Sequence, residues 1–136
     1  MIVTTELITS AVVGGFTFNM LKGVDLEDIA RHAPLELRMW LAAWPETSAA
    51  LLDDLSFDTL ACVRLRVAQQ KCNWPDIYRR LAKDDDAAIR EEIARHKGLP
   101  GDVIFLLAND GDEAVRETIK SFYTAPEIKR AEEQWS

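Results

Sequence analysis

Residues 81–90 read LAKDDDAAIR, and residues 107–116 read LANDGDEAVR. Both segments contain a Leu-Ala pair, an acidic turn and an apolar residue followed by arginine, and they begin 26 residues apart. Self-similarity with a period of about 20 to 50 residues is the sequence signature of stacked structural units. These two segments therefore predict a repeat fold.

The same spacing extends over most of the chain and predicts one helix, named here the A helix, in each repeat. Its register is marked by four arginines, each after an apolar residue: Arg38, Arg64, Arg90 and Arg116. That apolar position and the one four residues later share one face of a helix. The two columns are Leu37, Val63, Ile89 and Val115, then Leu41, Val67, Ile93 and Ile119.

The second half of each repeat predicts another amphipathic helix, named the B helix. Its apolar positions follow the spacing i, i+1, i+4, as in Ile77, Tyr78 and Leu81. Proline stands near three of the predicted starts, at Pro75, Pro100 and Pro126, where its missing N–H costs nothing. Connections of about two to four residues leave no room for strands. The pattern therefore predicts an all-α fold.

These patterns assign a single domain to residues 1–136. Residues 1–33 are predicted to form an N-terminal cap and a partial repeat, residues 34–123 the repeats, and residues 124–136 a C-terminal cap helix. The cap at the N-terminal end is predicted as a buried helix from about Thr5 to Lys22. Its apolar part is shorter than the about 20 residues that span a bilayer, and no basic residue precedes it as in a signal peptide.

The charge balance limits the class of partner. The 136 residues include 16 Lys and Arg against 23 Asp and Glu, for a formal net charge of -7. Binding to duplex nucleic acid or to an anionic bilayer is driven by Lys and Arg that neutralise phosphates. The composition therefore disfavours nucleic acid and membranes, and favours a protein partner that is basic or neutral.

The cysteines and histidines predict neither a metal site nor a cofactor. Cys62 and Cys72 form no CxxC pair, and no histidine lies at ligand spacing from them. Free thiols are typical of a reducing compartment, which predicts the cytoplasm. His32 and His96 accompany no recognisable nucleophile motif, and the chain contains no HExxH and no phosphate loop. The sequence thus predicts a protein that is not an enzyme.

The Leu-Ala, acidic-turn and apolar-Arg phrases resemble HEAT-like α-solenoids of the leucine-rich repeat variant type, over roughly Asp25 to Tyr123. The resemblance implies a short right-handed α-solenoid of about four 26-residue helix-pair repeats with an N-terminal capping helix. It also implies an ionic ladder, in which the acidic residue of each turn pairs with the arginine six positions later. The ladder residues are Arg38, Asp58, Arg64, Asp84, Arg90, Asp110 and Arg116.

Candidate partner-binding residues lie on the B helices, which commonly line the concave face of such solenoids, and at the turns before them. Phe105 and Leu106 add apolar side chains beyond the predicted stripe, as a protein-binding patch does. Packing of these two residues on the C-terminal helix is the alternative interpretation, and Trp135 is assigned no role. The full candidate set is Trp44, Trp74, Asp76, Arg79, Arg80, Asp102, Phe105 and Leu106.

The sequence is compatible with two kinds of function. The first is a non-enzymatic protein-binding module, similar to the immunity proteins that neutralise bacterial toxins by covering a basic cleft. The alternative is a HEAT-like nucleic-acid-binding protein or a DNA glycosylase-like enzyme, which needs a basic groove. Arg79 and Arg80 are the only adjacent basic pair on a B helix before Lys129 and Arg130, so the sequence favours the first function.

Overall fold

A computed structural model describes residues 26–71 and 74–136, and every regular element in these ranges is an α-helix. The helices are α1 (Leu26–His32), α2 (Leu35–Ala43), α3 (Ala49–Leu55), α4 (Ala61–Gln69), α5 (Pro75–Leu81), α6 (Ala87–Ala94), α7 (Gly101–Ala108), α8 (Glu113–Phe122) and α9 (Ala125–Trp135). The all-α prediction is confirmed for these ranges. The capping helix predicted from Thr5 to Lys22 lies outside the described residues.

The starts of the helices follow the 26-residue period. The A helices α2, α4, α6 and α8 begin at residues 35, 61, 87 and 113, and the B helices α3, α5 and α7 begin at residues 49, 75 and 101. The B helices contain seven or eight residues, slightly fewer than the about nine that the apolar spacing predicts. The period therefore governs where the helices begin as well as where apolar residues recur.

The chain divides into two compact units, Met1–Gln70 and Lys71–Ser136. In the first unit α2 packs against α4, and α1 packs against α3. In the second unit α6 packs against α8, and α7 packs against α9. Within each unit, a helix thus lies against the helix in the corresponding position of the next repeat. None of the described helices has the length and apolar character that crossing a bilayer requires.

The core consists of the apolar columns of the A and B helices. The A-helix columns named above are at most 8% exposed, and Ala42, Ala68 and Ala94 beside them are completely buried. The B-helix column of Leu55, Leu81 and Leu107 is also fully buried. Each large aliphatic side chain stabilises the fold by about 1.5–3 kcal/mol when it leaves water. The predicted core is therefore confirmed.

The acidic turns begin the A helices of the second unit. Asp86 and Asp112 are the N-caps of α6 and α8, and each side chain accepts the N–H two residues later, at 2.9 and 2.8 Å. These bonds satisfy backbone donors that lack partners within the helix. Gly98, at φ +75°, turns the chain after α6 in a conformation that other residues adopt at a cost.

Long polar side chains join the ends of successive A helices. In the first unit, the Gln70 amide donates to the carbonyl oxygens of Ala42 and Trp44, at 2.9 and 2.8 Å. In the second unit, the Tyr123 hydroxyl donates to the His96 carbonyl at 2.6 Å and accepts the Leu99 N–H at 2.9 Å. The last carbonyls of a helix have no partner in that helix. In each unit, one polar side chain at the end of the following A helix supplies a hydrogen-bond partner at this end.

We expect Tyr123→Phe to lower the free energy of unfolding by about 1–3 kcal/mol, because it leaves a buried N–H and a carbonyl without a partner. Ser121→Ala is the matched control, since it removes an exposed hydroxyl from the same helix. Urea denaturation followed by circular dichroism measures both variants. Equal stability of the two variants would show that the Tyr123 hydroxyl does not stabilise the second unit.

Candidate protein-binding surface

The acidic turns and the arginines of the A helices form a repeated set of hydrogen bonds. Arg90 donates from Nε and Nη2 to the carboxylate of Asp110, at 2.9 and 3.1 Å, and from Nη1 to the Asp84 carbonyl at 2.7 Å. In the first unit, Arg38 Nε donates to Asp58 at 2.8 Å. The carboxylates of Asp58 and Asp110 are only 4% and 7% exposed. The hydrogen bond that Arg90 donates to Asp110 is the largest cause that raises the pKa of Arg90.

This ladder differs from the predicted one in its partners. Arg64 and Arg116 do bind the aspartates six residues earlier, but through the main-chain carbonyls of Asp58 and Asp110, at 2.7 and 2.6 Å. The carboxylates bind the arginines 20 residues earlier instead. Each of these carboxylates also accepts the N–H two residues later in its own turn. The spacing of six therefore identifies the right residues but not the ion pairs.

We expect Arg90→Leu to lower the free energy of unfolding by about 3 kcal/mol, because it leaves the buried Asp110 carboxylate without its cation. Arg95→Leu removes the cation at the C-cap of the same helix, but the Arg95 side chain is 50% exposed and its pair with Glu91 is worth less than about 1 kcal/mol. Chemical denaturation of both variants measures the difference. A loss for Arg90→Leu as small as for Arg95→Leu would contradict the structural importance of the ladder.

A groove of about 190 Å³ lies in the second unit beside this ladder. Its lining residues are Arg79, Lys83, Asp102, Val103, Phe105, Leu106 and Trp135. Phe105 and Leu106 are half-buried, and Trp135 is 47% exposed. Pockets for drug-sized ligands are larger, at about 300–1,000 Å³. The groove has room for a single large side chain of a partner.

The polar wall of the groove is an ion pair between two B helices. Arg79 Nε donates to Asp102 Oδ2 at 2.8 Å, and Arg79 Nη1 donates to Asp76 Oδ1 at 3.4 Å. The Arg79 hydrogen bond, more than any other influence, holds the pKa of Asp102 below its usual 3.8, while burial opposes the shift. Asp102 also lies in the first turn of α7, where the helix dipole favours a negative charge. The same hydrogen bond raises the pKa of Arg79.

This shift predicts how the pair responds to acid. Because the pKa of Asp102 is lower in the folded chain than in the unfolded chain, its contribution is present above about pH 4 and is lost as the pH falls through the folded value. We expect the stability difference between the wild type and Asp102→Asn to shrink as the pH falls from about 5 to about 2. Urea denaturation over this range tests it, with Glu133→Gln as the control for loss of an exposed carboxylate. A constant difference would contradict the prediction.

The structure brings together only part of the predicted site. Arg79, Asp102, Phe105 and Leu106 line the groove, and Asp76 reaches it through Arg79. The other predicted residues lie elsewhere. Trp74 is the N-cap of α5 and is 41% exposed. Arg80 is half-buried and does not line the groove. Trp44 belongs to the first unit, where its ring packs against Trp40 at a centroid distance of 5.1 Å.

The groove also contains two residues that the repeat pattern does not single out, Lys83 and Trp135. Trp135 has no predicted role, yet it forms a wall of the groove. The signal that identifies it is Gly101, because a Cβ at that position would lie 2.9 Å from Trp135 Nε1. Other B helices begin with Ala49 and Pro75 at the corresponding position. A glycine there indicates close packing by another part of the chain.

A second depression, of about 400 Å³, recurs in both units. In the first unit it is lined by Ala30, Arg31, Arg38, Asp54, Phe57, Asp58 and Thr59. In the second unit the depression is lined by Ala82, Lys83, Asp84, Asp85, Arg90, Leu106, Asn109, Asp110 and Gly111. Each residue that lines the depression of the first unit has a counterpart there 52 positions later. An arginine and an aspartate of the ladder therefore line both depressions. Asp54 and Phe57 of the first unit are replaced by Leu106 and Asn109 in the second. Lys83 and Leu106 also line the groove.

Within the described ranges no group of three or more His, Cys, Asp or Glu side chains is placed to hold a metal ion. Comparison of the chain with family models, with curated proteins and with solved structures finds no match. The resemblance to HEAT-like repeats stays a prediction from the residues.

Proposed function

We propose that this chain is a non-enzymatic protein-binding module of the cytoplasm, built as a short right-handed α-solenoid of about four helix-pair repeats. The solenoid is supported by the 26-residue spacing of helix starts. It is also supported by the packing of corresponding helices against each other within each unit. The groove beside α7 is the proposed contact with the partner.

The observation that carries the binding function is the identity of residues 105 and 106. The repeat places Asp53 and Asp54 at these positions in α3, and Arg79 and Arg80 in α5. In α7 the same positions hold Phe105 and Leu106, although Val103, Ile104 and Leu107 already supply the buried face. The fold therefore accepts charged residues at these positions. A half-buried apolar pair rimmed by charge is typical of a protein-binding surface.

The ion pairs of Arg79 in the groove argue against nucleic acid as the ligand. A HEAT-like nucleic-acid-binding protein or glycosylase-like enzyme would use the Arg79 and Arg80 pair to neutralise phosphates. Arg79 is already bound to Asp102 and Asp76, so a phosphate would have to displace two carboxylates. The net charge of -7 adds repulsion at long range.

The acidic chain favours a basic or neutral partner, of which a toxin neutralised by a bound inhibitor is the clearest case. Opposite net charges raise the rate of encounter between two proteins. Buried aromatic and aliphatic contacts then determine how slowly the complex dissociates. Phe105, Leu106 and Trp135 supply those contacts in this proposal.

The test exploits the residues that the repeat itself accepts. We expect the double variant Phe105→Asp and Leu106→Asp, which copies the pair in α3, to fold and to lose at least about tenfold in affinity for the partner. The partner is first isolated with tagged wild-type protein from the native cell lysate and identified by mass spectrometry. Affinity is then measured with the purified partner by isothermal titration calorimetry.

The matched control is Phe122→Ser, which removes a 42% exposed aromatic side chain from α8, outside the groove. This variant is expected to bind like the wild type. Unchanged affinity of the double variant would place the interface elsewhere and contradict the proposal. Salt-sensitive recovery of nucleic acid without protein, abolished by Arg79→Glu with Arg80→Glu, would favour the nucleic-acid function instead.

A further inference from the structure

The charged residues that line the groove differ in whether they are paired, and Lys83 is the one without an ion pair among the described residues. Arg79 and Asp102 are bound to each other at 2.8 Å. Lys83 lies just after the end of α5, is exposed, and lines both the groove and the neighbouring depression. Within the described ranges, its ammonium group forms no ion pair. Lys83 thus carries the uncompensated charge of the groove lining that the structure describes.

Asp102 is a weaker anchor for a ligand than Lys83, because Arg79 already neutralises its charge. Its Oδ2 accepts the hydrogen bond from Arg79, and its Oδ1 is buried away from solvent. A cationic side chain that entered the groove would have to share the Asp102 carboxylate with Arg79 and would face the positive charge of Lys83. A ligand with a negative charge at this end meets an exposed ammonium group instead.

We propose that the groove binds a partner segment in which one large apolar side chain is followed directly by a carboxylate. The apolar side chain lies against Phe105, Leu106 and Trp135, and the carboxylate pairs with Lys83. This proposal rests on the proposed function, because it names the anchor that the protein-binding surface selects. The volume of about 190 Å³ suits one side chain and no more.

An acidic anchor is compatible with a partner that is basic as a whole. The net charge of -7 acts during approach, and salt reduces its effect beyond about 8 Å at physiological ionic strength. Lys83 acts only at contact, on the residue beside the groove. The overall charge of the partner and the charge of its anchor segment are therefore separate properties.

The experiment uses three acetylated and amidated hexapeptides of sequence Gly-Ser-Phe-Xaa-Gly-Ser, in which Xaa is Glu, Gln or Lys. Each is titrated to about 5 mM, the range suited to weak single-site binding, into ¹⁵N-labelled full-length protein. The amide shifts of residues 101–108 and the indole shift of Trp135 report on the groove. We expect the Glu peptide to bind about two- to fivefold more tightly than the Gln peptide, the range for one partly exposed ion pair, and the Lys peptide most weakly.

Lys83→Glu is expected to reverse this ranking, so that the Lys peptide binds most tightly. The control is Lys129→Glu, which changes the net charge equally on an exposed position of α9 that does not line the groove. It is expected to keep the wild-type ranking. A reversal by both variants would mean that net charge selects the peptide, and would overturn the role of Lys83.

Two further results would overturn the proposal without deciding the proposed function. Equal affinity of the three peptides would leave a groove that selects apolar side chains but no carboxylate. Absence of groove shifts with any peptide would show that no such anchor binds. The proposed function itself fails separately, when the Phe105→Asp and Leu106→Asp variant keeps its affinity for the purified partner.

Discussion

The hydrogen bonds from an A-helix arginine to the aspartate 20 residues later hold the turns of each unit in register. One guanidinium group connects two consecutive turns, because Arg90 binds the Asp84 carbonyl and the Asp110 carboxylate at once. A carboxylate that is 7% exposed is costly unless a cation and further donors accompany it. The same carboxylate accepts the Asp112 N–H, and Asp112 caps α8. The buried aspartate therefore determines both the spacing of the turns and the first residue of the helix that follows.

Because the ladder and the apolar columns supply the stability, the outer positions of the B helices are free to vary. Residues 53–54, 79–80 and 105–106 can be two acids, two arginines or Phe105 and Leu106 on the same backbone. Repeat proteins gain specific surfaces in this way, because a unit that stacks through its core does not constrain its exposed face. The groove of α7 and the two depressions beside the ladder are examples of one scaffold with different linings.

The core and the period were predictable from the sequence because burial acts on each helix separately. Leu41, Val67 and Ile93 recur on one face regardless of what surrounds them, and each is buried as expected. The ladder was less predictable, since a spacing of six cannot tell whether Arg116 meets the carbonyl or the carboxylate of Asp110. Position along the chain determines proximity, but the turn geometry determines which oxygen faces the cation. In the candidate site, the residues on α5 and α7 were found from the repeat, whereas Trp135 lies outside its register.

The change of register after α7 and the groove are one structural feature. Helix α9 begins 24 residues after α7, at residue 125 against residue 101, so it packs on α7 with a register that the B helices do not share. Its last residue, Trp135, comes within 2.9 Å of where a Gly101 side chain would be, and glycine permits that approach. Helix α9 stays polar along most of its length but ends in a half-exposed tryptophan beside Phe105 and Leu106. The out-of-register helix thus creates an apolar groove that a regular continuation of the repeat, with charged residues at these positions, would not contain.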